Sequence, residues 1–109
     1  MATLTHETLY LDYLPSSQGD IYDPASGVTG CIHNITIHNT NSTSETVELW
    51  KHNGTTAYKL YKVTVEANKT VIIDYGNDGL VIDGTHKLQG KVDTASKVVI
   101  DISGTKLVL

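Results

Sequence analysis

Apolar and polar residues alternate along most of this chain, and no window of a dozen residues repeats at helical spacing. Residues 7–14 (ETLYLDYL) place Leu9, Leu11 and Tyr13 on one face and Tyr10, Asp12 and Leu14 on the other. Both faces are partly apolar, which predicts a strand packed on two sides or against a neighbouring chain. PSSQGD breaks that pattern, and a short strand at Ile21–Tyr22 leads into the turn-rich DPASGVTG. Over Cys31–Thr40, His33, Ile35 and Ile37 share one face with Cys31, while Asn34, Thr36 and His38 take the other. Thr46–His52 alternates again, with Val47 and Leu49 inward and Glu48, Trp50 and His52 outward. Asn53-Gly54 is a hairpin turn signal, and Tyr58–Val65 supplies the returning strand. Further strands are predicted at Thr70–Tyr75, Leu80–Ile82, Lys87–Val92, Lys97–Ser103 and Thr105–Leu109, punctuated by EANK, GNDG, DG, DTAS and SG.

Short strands with turns every eight to twelve residues imply a sandwich or barrel. The expected fold is all-β: a single-domain antiparallel β-sandwich, jelly-roll or Ig-like, of about eight strands. Residues 19–109 would form the sandwich and residues 1–18 an N-terminal arm. Composition supports this. The chain has 109 residues, room for one domain. Fifteen Thr, with plentiful Val, Ile and Tyr, favour pleated surfaces over helices.

Charge narrows the partners. The net charge is −4, and residues 1–50 hold six acids with no Lys or Arg. The remaining residues hold eight Lys against six acids, so −6 + 2 = −4. Such polarity can steer copies of a protein onto each other or onto a partner, although scattered solvated charges would look the same. An acidic chain without Arg is a poor nucleic-acid ligand, lacking both the basic face and the guanidinium fork. Cys31 is the sole cysteine, so neither an intrachain disulfide nor a thiolate metal cluster can form. MATLTHETLYLDYL lacks the basic and continuously apolar segments of a signal peptide, and nothing later approaches membrane-spanning length. Synthesis in a reducing cytoplasm is expected. The sequons at Asn34, Asn41, Asn53 and Asn68 then read as by-products of a Thr- and Asn-rich β protein.

Candidate chemistry is thin. His6, His33, His38, His52 and His86 form no pair at ligand spacing; His33 and His38 are five apart, on opposite faces of a regular strand. Asp74, Asn77, Asp78 and Asp83 surround DYGNDG, but Gly76 falls where a calcium loop needs an oxygen ligand, so turn chemistry explains them. Cys31 and His33 share a face with Ile35 and Ile37, where a cysteine is inert packing. No nucleophile elbow, phosphate loop, dinucleotide fingerprint or zinc-protease motif occurs. No catalytic residue, cofactor or metal ligand is therefore assigned. Trp50, with Tyr58 and Tyr61 on the next strand, could stack on sugars, but core or interface cover is the better reading.

From Asp20 onward, Tyr22, Ala25 and Gly27, then Ile35, Ile37, Asn39 and Thr40, then Val47 and Leu49, and finally VEANKTVIID and TASKVVIDISGTKL follow one cadence of strands and turns. In these residues the sequence resembles small virion proteins of tailed bacteriophages. The resemblance covers residues 20–107; Ser26 interrupts the family's Pro-Ala-Gly turn. It implies a compact sandwich in a capsid or tail; some such proteins decorate or cement the shell, and the role expected here is that of a decoration or cement protein bound to the major capsid protein. A homo-oligomer follows, with a trimer as one option, located in the virion and binding neither nucleic acid nor membrane. A neck, tail or fibre component and a carbohydrate-binding sandwich are the alternatives. The expected interface residues are Leu9, Tyr10, Leu11, Tyr13, Trp50 and Tyr58, with residues 1–18 adding a strand to a neighbour's sheet.

Overall fold

The computed structural model describes residues 3–108. They form nine strands: β1 (Thr3–Tyr13), β2 (Gly19–Tyr22), β3 (Val28–Asn39), β4 (Glu45–His52), β5 (Ala57–Val65), β6 (Thr70–Asp74), β7 (Leu80–Ile82), β8 (Lys87–Val92) and β9 (Val98–Val108). Two antiparallel sheets face each other. One has the order β1-β9-β3-β6, with β7 also pairing β3; the other runs β2-β8-β4-β5. β6 and β7 pair with successive stretches of β3, at Asn34–His38 and Gly30–Ile32, and act as two halves of one strand. Only β4 and β5 are a hairpin within one sheet; the other connections between these strand units cross between sheets. Of the two sandwich types left open by the sequence, this is the jelly roll.

The core comes from the facing sides of both sheets. Ile32, Ile35, Ile37, Val98, Ile100 and Ile102 from one sheet meet Val47, Leu49, Val65, Leu88 and Val92 from the other, all essentially without solvent exposure. Each such side chain contributes about 1.5–3 kcal/mol by leaving water. Leu14 and Ile21, on either side of the β1–β2 connection, seat over Gly90, where any Cβ would collide with Ile21 Cδ1. Two buried polar groups close the loops. Asn39 Nδ2 donates to the carbonyls of Thr43 (2.9 Å) and Val65 (3.0 Å), while its Oδ1 accepts from the Asn41 amide (2.9 Å). Glu45, 3% exposed, accepts from the amide of Thr94 at 2.8 Å and from its hydroxyl at 3.1 Å.

Register shifts overturn several sequence expectations. One opposite Gly104 and Ser103 leaves His33 as an extra residue in β3. The core face therefore passes from Ile32 to Ile35, and Cys31 and His33 do not share it. Cys31 lies on the outer face, half-buried, with Sγ directed at the Asp78 carbonyl oxygen (3.4 Å). A second shift makes Leu9 the extra residue of β1, so it packs toward the core while Leu11 and Tyr13 face outward. A third makes Leu60 the extra residue of β5. Residues 97–103 and 105–109 were expected as two strands, yet β9 runs unbroken through Ser103-Gly104. A Cβ at Gly104 would strike the Cys31 carbonyl oxygen, so this glycine permits the bulge instead of ending a strand.

Candidate interaction surface

Register fixes what each sheet shows to solvent. On the outer face of the five-stranded sheet, Leu11, Asp101, Thr36 and Ile72 form one row. Tyr13, Val99, His38 and Thr70 form the next. Further along, His6, Thr105, Cys31 and Val81 line up, with Leu4 beside Leu107. Leu4 is 70% exposed, Ile72 65%, Leu11 63% and Tyr13 47%, a spread of apolar side chains that a monomer gains nothing by displaying. Asp101 lies among them; its Oδ1 is shielded from solvent and no donor among the described residues reaches it. The outward-pointing positions of these strands include Asp74 and Asp101 and no lysine.

The outer face of the four-stranded sheet has the opposite sign. Lys59, Lys62, Lys87 and Lys91 stand around Glu48 and Asp20. Glu48 pairs with Lys59 (3.3 Å) and Lys62 (3.9 Å). Asp20 accepts from Gln89 Nε2 (2.8 Å) and Lys87 Nζ (3.0 Å), and these two hydrogen bonds hold its carboxyl below the ordinary aspartate range. Trp50 faces outward as alternation predicts, yet it is only 9% exposed, with Lys59 Nζ 5.5 Å from its ring centroid. That cover leaves little ring surface for a sugar.

The structure distributes the expected interface residues unequally. Leu11, Tyr13 and Tyr58 are exposed, whereas Leu9 and Tyr10 are half-buried against the core. Burial also pushes the Tyr10 phenol up, with the Asp12 charge adding to it. Ile72, Leu4 and Leu60 belong to the exposed set but escape a reading of single strands, because only sheet pairing shows what they face.

A polar cleft of about 450 Å³ opens on the five-stranded side, lined by His6, His33, Asn34, Asp74, Gly76 and Asn77. His33 Nδ1 donates to the Gly76 carbonyl (2.8 Å) and its Nε2 meets Thr105 Oγ1 (3.0 Å), so both ring nitrogens are occupied. Bulging turns His33 to the same side as His38, contrary to the simple alternation. The rings of His6 and His33 lie 6.1 Å apart. Among the described residues no group of three or more His, Cys, Asp or Glu is placed to hold a metal ion. Asp74 Oδ1 accepts from the Gly76 amide (2.8 Å), which is turn chemistry, as expected. No helix among the described residues is long and apolar enough to cross a membrane.

No family model matches the sequence, and no curated protein matches it. Solved structures do. The fold is similar to that of a protein in the disulfide-linked pili of Bacillus endospore appendages, with a TM-score of 0.60 and 8% identity, covering 100% of this chain and 91% of that one. A second match, to a structure of infectious bursal disease virus Gt strain, has a TM-score of 0.41 and 10% identity, covering 97% of this chain and 31% of the viral one. At such identities the pilus likeness is one of fold.

Proposed function

We propose that this chain is a structural subunit that acts by covering or building a larger protein assembly. The observation that carries the reading is the outer face of the five-stranded sheet, where Leu4, Leu11, Tyr13 and Ile72 stand exposed, the last three in the rows at and next to an Asp101 oxygen that lacks a donor. Burying such a face against another chain gains the hydrophobic term and supplies the missing donor.

The finer reading is a decoration or cement protein of a bacteriophage capsid, bound to the major capsid protein and contributing interface area against internal pressure. The virion-protein resemblance over residues 20–107 supports it. A second reading, a subunit of a surface filament, is favoured by the end-to-end fold likeness to a pilus protein. Copy number in purified particles separates them, read by quantitative gel against the major shell protein. Abundance near that of the shell protein selects capsid decoration, and a handful of copies selects a neck, tail or fibre role. Absence from virions with recovery in filaments selects the second reading; absence from every assembly would overturn the proposal.

A further inference from the structure

Among the described residues only two sheet edges are long and unbroken: β1, with 11 residues, and β5, with 9. The β2 edge has 4 residues, and the β6/β7 edge is split into 5 and 3 by the turn between them. A free edge presents a row of unpaired peptide groups to any strand that can lie beside it. At one point β1 caps itself, because the Tyr13 amide donates to Asp12 Oδ1.

The two edges carry opposite charge. β1 holds Glu7, which pairs with Lys106 of β9 (3.1 Å), and Asp12, and no lysine; β5 holds no acid and two lysines, Lys59 and Lys62, which share the single Glu48 of β4. Pairing β1 with another β1, or β5 with another β5, sets like charges against each other. Lysines on an edge also deter strands that lack acids, which selects the partner. Each edge has exposed apolar side chains to bury: Leu4 and Leu11 on β1, Tyr58 and Leu60 on β5.

We infer that β1 of one copy adds to the β5 edge of the next, so that the five-stranded sheet of one subunit continues into the four-stranded sheet of its neighbour. This rests on the assembly reading above and specifies its geometry. Each copy uses one β1 and one β5, so the joint is heterologous and repeats, closing into a ring or running on as a filament. Register shifts at Leu9 and Leu60 divide the joint into two paired stretches on either side of the bulges.

Charge swapping at the exposed positions tests it. Leu11→Lys puts a cation on β1, and Leu60→Asp puts an acid on β5; both residues are exposed in the subunit, so thermal melting should confirm that each variant folds. Sedimentation velocity across a concentration series reads the assembly. Each variant alone should need about a tenfold or greater concentration to assemble. An equimolar mixture should assemble like the wild type, because one joint is unaltered and the other pairs the new Lys with the new Asp. Variants that assemble normally, or a mixture no better than its components, overturn this geometry while leaving the assembly reading intact. A wild-type chain that stays monomeric and binds no particle overturns both.

Discussion

Gly104→Ala places a Cβ directly against the backbone of the neighbouring strand. A Cβ at this position would strike the Cys31 carbonyl oxygen and stand 3.0 Å from Ile32 Cα, and each of these is backbone in the central strand β3. No side chain can rotate away, so β3 and β9 must separate where Ile32, Ile35 and Ile102 pack. Overpacking of that kind costs about 3 kcal/mol, against roughly 5–15 kcal/mol for the whole fold of a domain this size. The corresponding drop in melting temperature is about 12 °C or more. Gly76→Ala is the control: nothing lies within 4 Å of its Cβ position, and only its φ of 70° opposes a side chain. That conformation costs about 1–2 kcal/mol. Scanning calorimetry on both variants reads the difference directly. A Gly104→Ala protein melting at or above Gly76→Ala would refute the close approach and, with it, the bulge at His33 as the reason for the glycine.

Three further outcomes follow from the same contacts. Glu45→Ala removes the buried side chain that accepts from both the Thr94 amide and its hydroxyl and should cost about 2 kcal/mol in urea unfolding, whereas a loss below the fitting error would mean that water replaces it. Asp20 has its carboxyl held low, so its contribution is present above the ordinary aspartate pKa and fades as pH falls through the lowered one. Asp20→Asn should therefore melt below the wild type near neutrality and approach it as acid protonates the carboxyl; a gap that does not narrow with falling pH would show that charge is not its origin. Trp50 should resist acrylamide quenching in the folded chain despite facing outward, and quenching like that of free indole would contradict its cover by Lys59.

Much of the fold was legible because strand signals are local. Val47 and Leu49 face inward as alternation requires, and the Asn53-Gly54 signal falls in the β4–β5 hairpin, where Asn53 Oδ1 accepts from Thr55 (2.9 Å) and Thr56 (2.8 Å). What escaped depends on pairing between distant segments. Extra residues at Leu9, His33 and Leu60 each flip a face, and nothing in the adjoining sequence marks them. Gly104 looks like a strand terminator until Cys31 is seen against it. Asn39 and Glu45 are polar residues at strand ends, and their burial follows from Val65 and Thr94 arriving from elsewhere in the chain. The surface was half legible. Leu11, Tyr13 and Tyr58 are exposed, while alternation assigns Trp50 a face without saying what covers it. Residues 3–13, placed in the arm by the sequence, make β1 beside β9, and Leu14 enters the core.

The most direct test of the account is the state of the purified chain over a wide concentration range, by sedimentation velocity with electron microscopy of the same samples. The account predicts concentration-dependent growth into rings or filaments of one repeating joint, moved to about a tenfold or greater concentration by Leu11→Lys. A single monomer boundary at every concentration, with no binding to any particle offered, would contradict it.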